Sequence, residues 1–396
     1  MGMKKVFRSL PISLGLVVLL VQVIQAQELN NTADRMMQDD GRLTIGGYGQ
    51  IDYNQPLDKD SYMNGGLDVH RLVLMFGYKF SKKTQFITEI EFEHVKEVYI
   101  EQAFIQHEIQ PWLKLRAGLM LIPMGIINEY HEPSAFNGVE RPNLDKYIVP
   151  TTWREIGAGF NGTFPSAAVS YQLYLVTGFN GYDEEAVLSG GNGFRNGRQK
   201  GAESIINSPN LTFKINYFGL SGLQFGFSGY TGKTQSSLYG AIDKSDNQAL
   251  AAADSSVVGL SMLGVDARYQ RGGIQLRGQA TLGLLTNTSH YNQFTGSDLG
   301  SLIGGWYAEL SYDLFHRIES FDSGLIPFIR YEQYNTHVST ETTTSVNPAY
   351  QRNDLTLGLG WKLADGAMLK ADVQWFGNKE TVESIKQFNA GVAVWF

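Results

Sequence analysis

The sequence contains no cysteine, which excludes a disulfide scaffold, thiolate metal sites, a cysteine nucleophile and a lipidated N-terminal cysteine. Beyond the first 26 residues it also lacks any apolar run approaching the roughly 20 residues that a membrane helix needs. Basic charge is scarce: 32 lysines and arginines stand against 39 acidic residues, a balance that disfavours nucleic acid as a partner. An acidic excess of this kind keeps exposed loops solvated, with attraction of cations a secondary expectation. There is no H-E-x-x-H pair, and the seven histidines (His70, His94, His107, His131, His290, His316 and His337) are scattered along the chain.

What is present begins with an export signature. Lys4, Lys5 and Arg8 precede an almost wholly apolar stretch from Leu14 to Ile24, and Gln25-Ala26-Gln27 offers a small-residue cleavage point. Residues 1–26 therefore read as a signal peptide, the rival being an uncleaved anchor. Removing those three cations takes the formal net charge from −7 to −10. Residues 27–41 are polar, show no clear period and are expected to form a short periplasmic leader. At the other end the chain closes on a period-2 apolar strand, residues 387–396, whose last residue is Phe396. Aromatic residues make up 12% of the chain and glycines number 44, as girdles and tight turns of a membrane barrel require. The mean hydropathy of −0.19 hides this, because alternation averages to a soluble-looking value.

Sixteen alternating runs follow the leader: 42–53, 68–80, 85–95, 98–109, 113–121, 156–164, 169–179, 210–218, 223–230, 257–270, 274–285, 304–312, 324–334, 354–363, 369–376 and 387–396. In 68–80 the apolar parity is Leu72, Leu74, Phe76, Tyr78 and Phe80, against Arg71, Val73, Met75 and Lys79. In 85–95, Glu89, Glu91 and Glu93 share one face; 98–109 gives no assignable faces. His70 and His94 fall on the apolar parity near strand ends. Turns at 81–84, 271–273 and 364–366 are short, whereas 180–209, 231–256, 286–303 and 335–353 are long and polar. An even strand number with short and long connections on opposite sides predicts an all-β fold, a transmembrane antiparallel β-barrel of about sixteen strands over 42–396. A soluble sandwich also alternates. It would need neither an export signal nor a terminal aromatic strand.

The longest break in alternation in the first half, about 122–155, carries Pro123, Pro133, Pro142 and Pro150, which resist strand pairing. It is too long and too apolar for a free loop, and is expected to fold into the barrel and narrow it. An ordinary extracellular loop is the alternative.

Arg116-Ala117-Gly118-Leu119-Met120-Leu121-Ile122-Pro123-Met124-Gly125, with Asn128-Glu129, Glu140-Arg141-Pro142 and Trp153-Arg154-Glu155-Ile156-Gly157, resembles the phosphate-selective porin O and P type family, particularly its Bacteroidetes-like members. That resemblance implies sixteen-stranded outer-membrane channels, often trimers, whose third extracellular loop bends inward, and which carry phosphate along inward arginines and lysines. Candidate pore-lining cations are Arg71, Lys79, Lys114, Arg116, Lys214, Arg277, Arg330, Lys362 and Lys370; Glu89, Glu91 and Glu93 share the lumen with them, as do Glu309, Glu332 and Asp372. In the constriction loop the candidates are Asn128, Glu129, His131, Glu132, Glu140, Arg141, Asp145 and Lys146, with Arg154 at its end.

Mixed lumenal signs favour general polar solutes over one anion. A carboxylate row on one strand is spaced near 7 Å, too wide for a compact metal site without other ligands. Gly191–Gly197 is rich in glycine but lacks the strand and helix that frame a phosphate loop. The expected function is thus a non-enzymatic porin without cofactor or metal. It would sit in the outer membrane of a Gram-negative bacterium, in contact with lipid, and pass small hydrophilic solutes or inorganic ions. The alternatives are a phosphate- or anion-selective channel, and a barrel that is a lipase or a surface anchor.

Overall fold

The computed structural model describes residues 31–318, 323–341, 344–381 and 383–396; the signal peptide read at 1–26 and the start of the leader lie outside them. Along the chain the strands are β1 (Leu43–Leu57), β2 (Gly66–Lys79), β3 (Thr84–Glu93), β4 (Glu97–Gln110), β5 (Leu113–Leu121), β6 (Arg154–Phe164), β7 (Val169–Val176), β8 (Asn180–Asp183), β9 (Glu185–Ala186), β10 (Asn210–Leu220), β11 (Leu223–Lys233), β12 (Gln235–Ser236), β13 (Gly259–Arg271), β14 (Ile274–Thr286), β15 (Leu302–Tyr312), β16 (Gly324–Ser339), β17 (Gln351–Ala364), β18 (Ala367–Asn378) and β19 (Ile385–Trp395). Sixteen of them form one closed barrel in which each pairs with its barrel neighbours in chain order and β1 meets β19. The other three, β8, β9 and β12, form a small separate sheet among the long connections. Each of the sixteen alternating runs corresponds to one barrel strand.

Burial in this barrel is inverted relative to a soluble protein. Leu175, Ile215, Leu263, Leu282, Leu310 and Trp361 are exposed, while Thr212, Lys214, Ser228, Glu309, Arg330 and Asp372 on the other parity are buried. A sandwich would bury the apolar parity in a second sheet. Here the apolar side chains clothe the outer wall and the polar ones turn into the lumen, as a membrane barrel requires.

Closure leaves the barrel itself without an edge strand. Tyr48 stands opposite Trp395 in the β1–β19 register, and the Phe396 N–H donates to the Gly47 carbonyl at 3.0 Å. The turn between β17 and β18 depends on Gly366 at φ +86°, where a Cβ would lie 2.4 Å from the Trp395 carbonyl oxygen. Several strands, β16 among them, run beyond the alternating segments. Pairing continues there after the outer face has ceased to be apolar.

Three local features depart from the reading of the sequence. The leader contains a helix, α1 (Thr32–Gln38), whose N-cap Asn31 accepts the Asp34 N–H at 2.8 Å and whose Ala33 and Met36 are buried at the short-turn end of the barrel. Gly46 and Gly77 on the wall leave room for Met36. Seven residues are too few for a periodic signal, so packing against the wall decides the structure. The second departure is a register shift between Gln50 and Asp52, which turns His70 toward Asp52, 3.7 Å away, instead of leaving it on the outer apolar face. The third is a register shift between Glu89 and Ile90 against β4, where consecutive Glu101 and Gln102 are both buried. This bulge is why 98–109 gave no readable parity.

Candidate functional site in the barrel lumen

The connection from β5 to β6 begins and ends at a clasp. Asn128 donates from Nδ2 to the carbonyls of Ile122 (2.8 Å) and Trp153 (2.9 Å), and its Oδ1 accepts the Trp153 N–H at 2.7 Å. Between these points the prolines and a single helical turn, α2 (Leu144–Tyr147), leave backbone groups that no strand partner satisfies. Lumen-facing side chains of the wall satisfy them according to sign. Cations take carbonyls: Lys370 Nζ donates to Phe136 (2.6 Å), Gly138 (3.1 Å) and Pro133, Arg71 Nη2 to His131 (3.0 Å), Lys214 Nζ to Gly125 (2.6 Å), and Arg277 to Ala135. Acceptors take N–H groups: Gln279 from Ile126 (2.7 Å), Asp372 from Val139 (2.7 Å) and Glu332 from Leu144 (3.0 Å). Glu309 accepts the Asn137 side chain at 2.8 Å, and Asp354 that of Asn143 at 2.7 Å.

Apolar side chains of the same segment fill the space between. Ile122, Met124, Ile126, Phe136, Leu144 and Ile148 belong to one buried cluster with Tyr48, Val73, Tyr174 and Met262 of the wall. Trp153 stacks on Phe179 at 4.4 Å and meets Tyr230 at 4.7 Å between ring centroids. Burial of this kind stabilises by about 1.5–3 kcal/mol per large side chain, so the segment is an integral part of the fold.

Cavities lie on both sides of it. At the long-loop end a cavity of about 600 Å³ is lined by five cations (Arg71, Arg141, Lys146, Arg195 and Arg352) against three carboxylates (Glu140, Asp145 and Asp354). At the short-turn end one of about 330 Å³ has five cations (Lys79, Lys82, Lys83, Lys114 and Arg116) against Asp34, Glu108 and Glu129. A second there, also about 330 Å³, sets Arg35, Arg268 and Arg277 against Glu132. An acidic chain thus presents an excess of positive charge in each. At the root of the segment Arg195 and Arg198 both donate to the Thr151 carbonyl, the latter at 2.9 Å. Burial, with Arg195 and Arg154 close by, pulls the Arg198 guanidinium down to about 9. Burial also raises the Asp145 carboxyl from its ordinary 3.8 to about 8, against the opposing effects of a Gln279 hydrogen bond and Arg330.

The helix α1 ties the segment to the wall. Glu132 accepts the Thr32 N–H at 2.8 Å and lies 3.7 Å from Arg35; the Glu129 carbonyl accepts from Asn31 at 3.2 Å; Asp34 stands 3.9 Å from Arg116. Above it, His131 Nε2 sits 3.0 Å from Glu89 Oε1 and 3.1 Å from Glu101 Oε2, all three side chains buried.

Several sequence-derived assignments change. Lys214, Arg330 and Lys370, expected to line an aqueous pore, are buried and bound to the segment, with Arg330 3.5 Å from both Glu309 and Glu332. Arg71 and Arg277 also donate to the segment, Arg277 lying 3.0 Å from Glu309, and each lines a cavity. Glu89 and Glu91 are likewise buried. Glu93 is instead part-exposed at the strand end, 3.9 Å from His94. Lys362 is paired to Asp365 of the adjoining short turn and joins none of these three cavities. Lys79, Lys114 and Arg116 do line a cavity. Glu101, Tyr48, Arg195 and Arg352 were not legible as site residues. The bulge hid Glu101; Arg195 lies in an aperiodic glycine-rich loop, and Arg352 just before an alternating run.

No family model matches the chain. It is 28% identical over 352 residues to an uncharacterized protein of Aquifex aeolicus (strain VF5), covering 87% of this chain and 78% of that one. Among solved structures it is similar to Salmonella typhi OmpF in complex with daunomycin (TM-score 0.59, 12% identity, 89% of this chain and 97% of that one). It is also similar to an anion-selective porin from Comamonas acidovorans (0.54, 13%, 89% and 99%) and to the trimer form of the outer membrane protein OmpT of Vibrio cholerae (0.52, 11%, 90% and 100%). At these identities the likeness is one of fold: a closed antiparallel β-barrel, here of sixteen strands.

Proposed function

We propose that this chain is a porin of the Gram-negative outer membrane, exported with residues 1–26 as its signal. It passes small hydrophilic solutes and ions passively, with residues 122–153 as the constriction and no chemical step. The observation that carries the reading is the inverted wall, apolar outside and polar within, in a closed barrel whose lumen holds polar cavities at both ends. Homotrimeric assembly belongs to the same reading through the family resemblance.

A second reading, preference for anions, is favoured by one specific observation. Most inward carboxylates are consumed by the segment or by ion pairs, and the cations lining the end cavities outnumber the acids there. A surplus of fixed positive charge in a narrow aqueous space raises the local concentration of anions. Swelling of proteoliposomes in isotonic solutes tests both: entry of small neutral sugars supports the diffusion channel, faster entry of a small anion than of a cation of equal size supports the preference, and no swelling with any solute contradicts both.

A further inference from the structure

Glu89, Glu101, His131 and Tyr48 come from four separate segments, yet their polar atoms converge on one point. His131 Nε2 is 3.0 Å from Glu89 Oε1 and 3.1 Å from Glu101 Oε2, and Tyr48 Oη is 2.9 Å and 3.4 Å from the same two oxygens. The Glu89, Glu101 and His131 donor atoms all lie within 4.8 Å of one another. Ligands about 2.0–2.1 Å from a tetrahedral ion stand about 3.3 Å apart, so the imidazole nitrogen already stands near that spacing from both carboxylate oxygens.

The surroundings support the same centre. Gln102 Nε2 donates to the outer oxygen of Glu89 at 2.7 Å, while Thr152 Oγ1 and Arg154 hold the outer oxygen of Glu101. Each carboxylate is therefore oriented by a second partner and turns its other oxygen inward, the arrangement that fixes metal ligands. The spacing that rules out a site along one strand is bypassed because the bulge at Glu101 supplies the second carboxylate and the segment supplies the imidazole.

We propose that Glu89, Glu101 and His131, with Tyr48 beside them, form a structural site for a divalent transition metal of the zinc type that pins the segment 122–153 to the wall. Nitrogen and oxygen donors without thiolate suit Zn²⁺ and Co²⁺, and the closed surroundings suit a structural ion. A protonated imidazole bridging two carboxylates is the rival occupant.

Protein purified in detergent and stripped with a chelator is titrated with Zn²⁺ by calorimetry and with Co²⁺ by visible spectroscopy. The expected result is one equivalent bound, with the intense visible bands of tetrahedral Co²⁺. His131→Gln abolishes it, exposed His290→Gln does not, and Gln102→Ala weakens it roughly 10–100-fold. Absence of saturable one-to-one binding to the unaltered protein, or binding that survives His131→Gln, overturns the proposal. Because the first readout uses the unaltered chain, a variant that fails to fold does not obscure it.

Discussion

The ammonium of Lys370 on β18 donates to the carbonyl of Phe136, 2.6 Å away, and lies 4.4 Å from the Phe136 ring centroid. One wall cation thereby ties down the tip of the β5–β6 connection, taking the carbonyls of Pro133 and Gly138 as well. Lys370→Met keeps the length and removes the donors. Buried carbonyls left without a partner cost about 1–3 kcal/mol each, so the variant is expected to unfold at lower temperature in detergent and to show noisier single-channel current. An unchanged melting temperature would show that the contact contributes nothing.

Truncation of residues 27–40 removes α1 and its contacts with Glu129 and Glu132. The barrel closes without it, since β1 pairs with β19 from Tyr48 onward. The short-turn mouth should widen, raising conductance by roughly a factor of two for a passage limited there. Equal conductance in the truncated and intact proteins would assign the limit to the segment alone.

Much of this architecture is readable from residue parity. The sixteen strands, the inward carboxylates Glu309, Glu332 and Asp372 and the break at about 122–155 all follow from which positions alternate and where prolines interrupt. What parity does not give is depth and occupancy. Lys362 and Arg330 share an inward parity, yet one ends at a turn with Asp365 and the other is wholly enclosed by the segment. Glu101 escaped because a bulge shifts a side chain to the other face while leaving composition untouched. The helix α1 escaped because its few contacts are tertiary.

Charge reversal at the mouths tests the preference for anions. Arg352→Glu at the long-loop cavity, and Lys114→Glu with Arg116→Glu at the short-turn cavity, each invert part of the lining surplus. Each is expected to move the reversal potential in a KCl gradient toward the cation side. No movement in either would place the selecting charges elsewhere.

The buried carboxyl of Asp145 accepts from Gln279 at 3.1 Å through one oxygen, and its Oδ2 has no hydrogen-bond partner among the described residues. With its value raised from 3.8 to about 8, the folded protein keeps a proton that the unfolded chain releases. Its contribution to stability is full below 3.8 and is lost as pH rises through about 8. The melting temperature of the wild type should therefore fall relative to that of Asp145→Asn between about pH 5 and about pH 9. Parallel pH profiles for the two proteins would contradict this origin.

The proposed function requires a lumen that carries solutes through a wall facing lipid. Purified protein in a planar bilayer separating unequal KCl solutions tests it most directly: stepwise conductance increments are expected, with a reversal potential of the sign set by chloride. A protein that stays monodisperse without detergent and produces no current steps in the bilayer would contradict it.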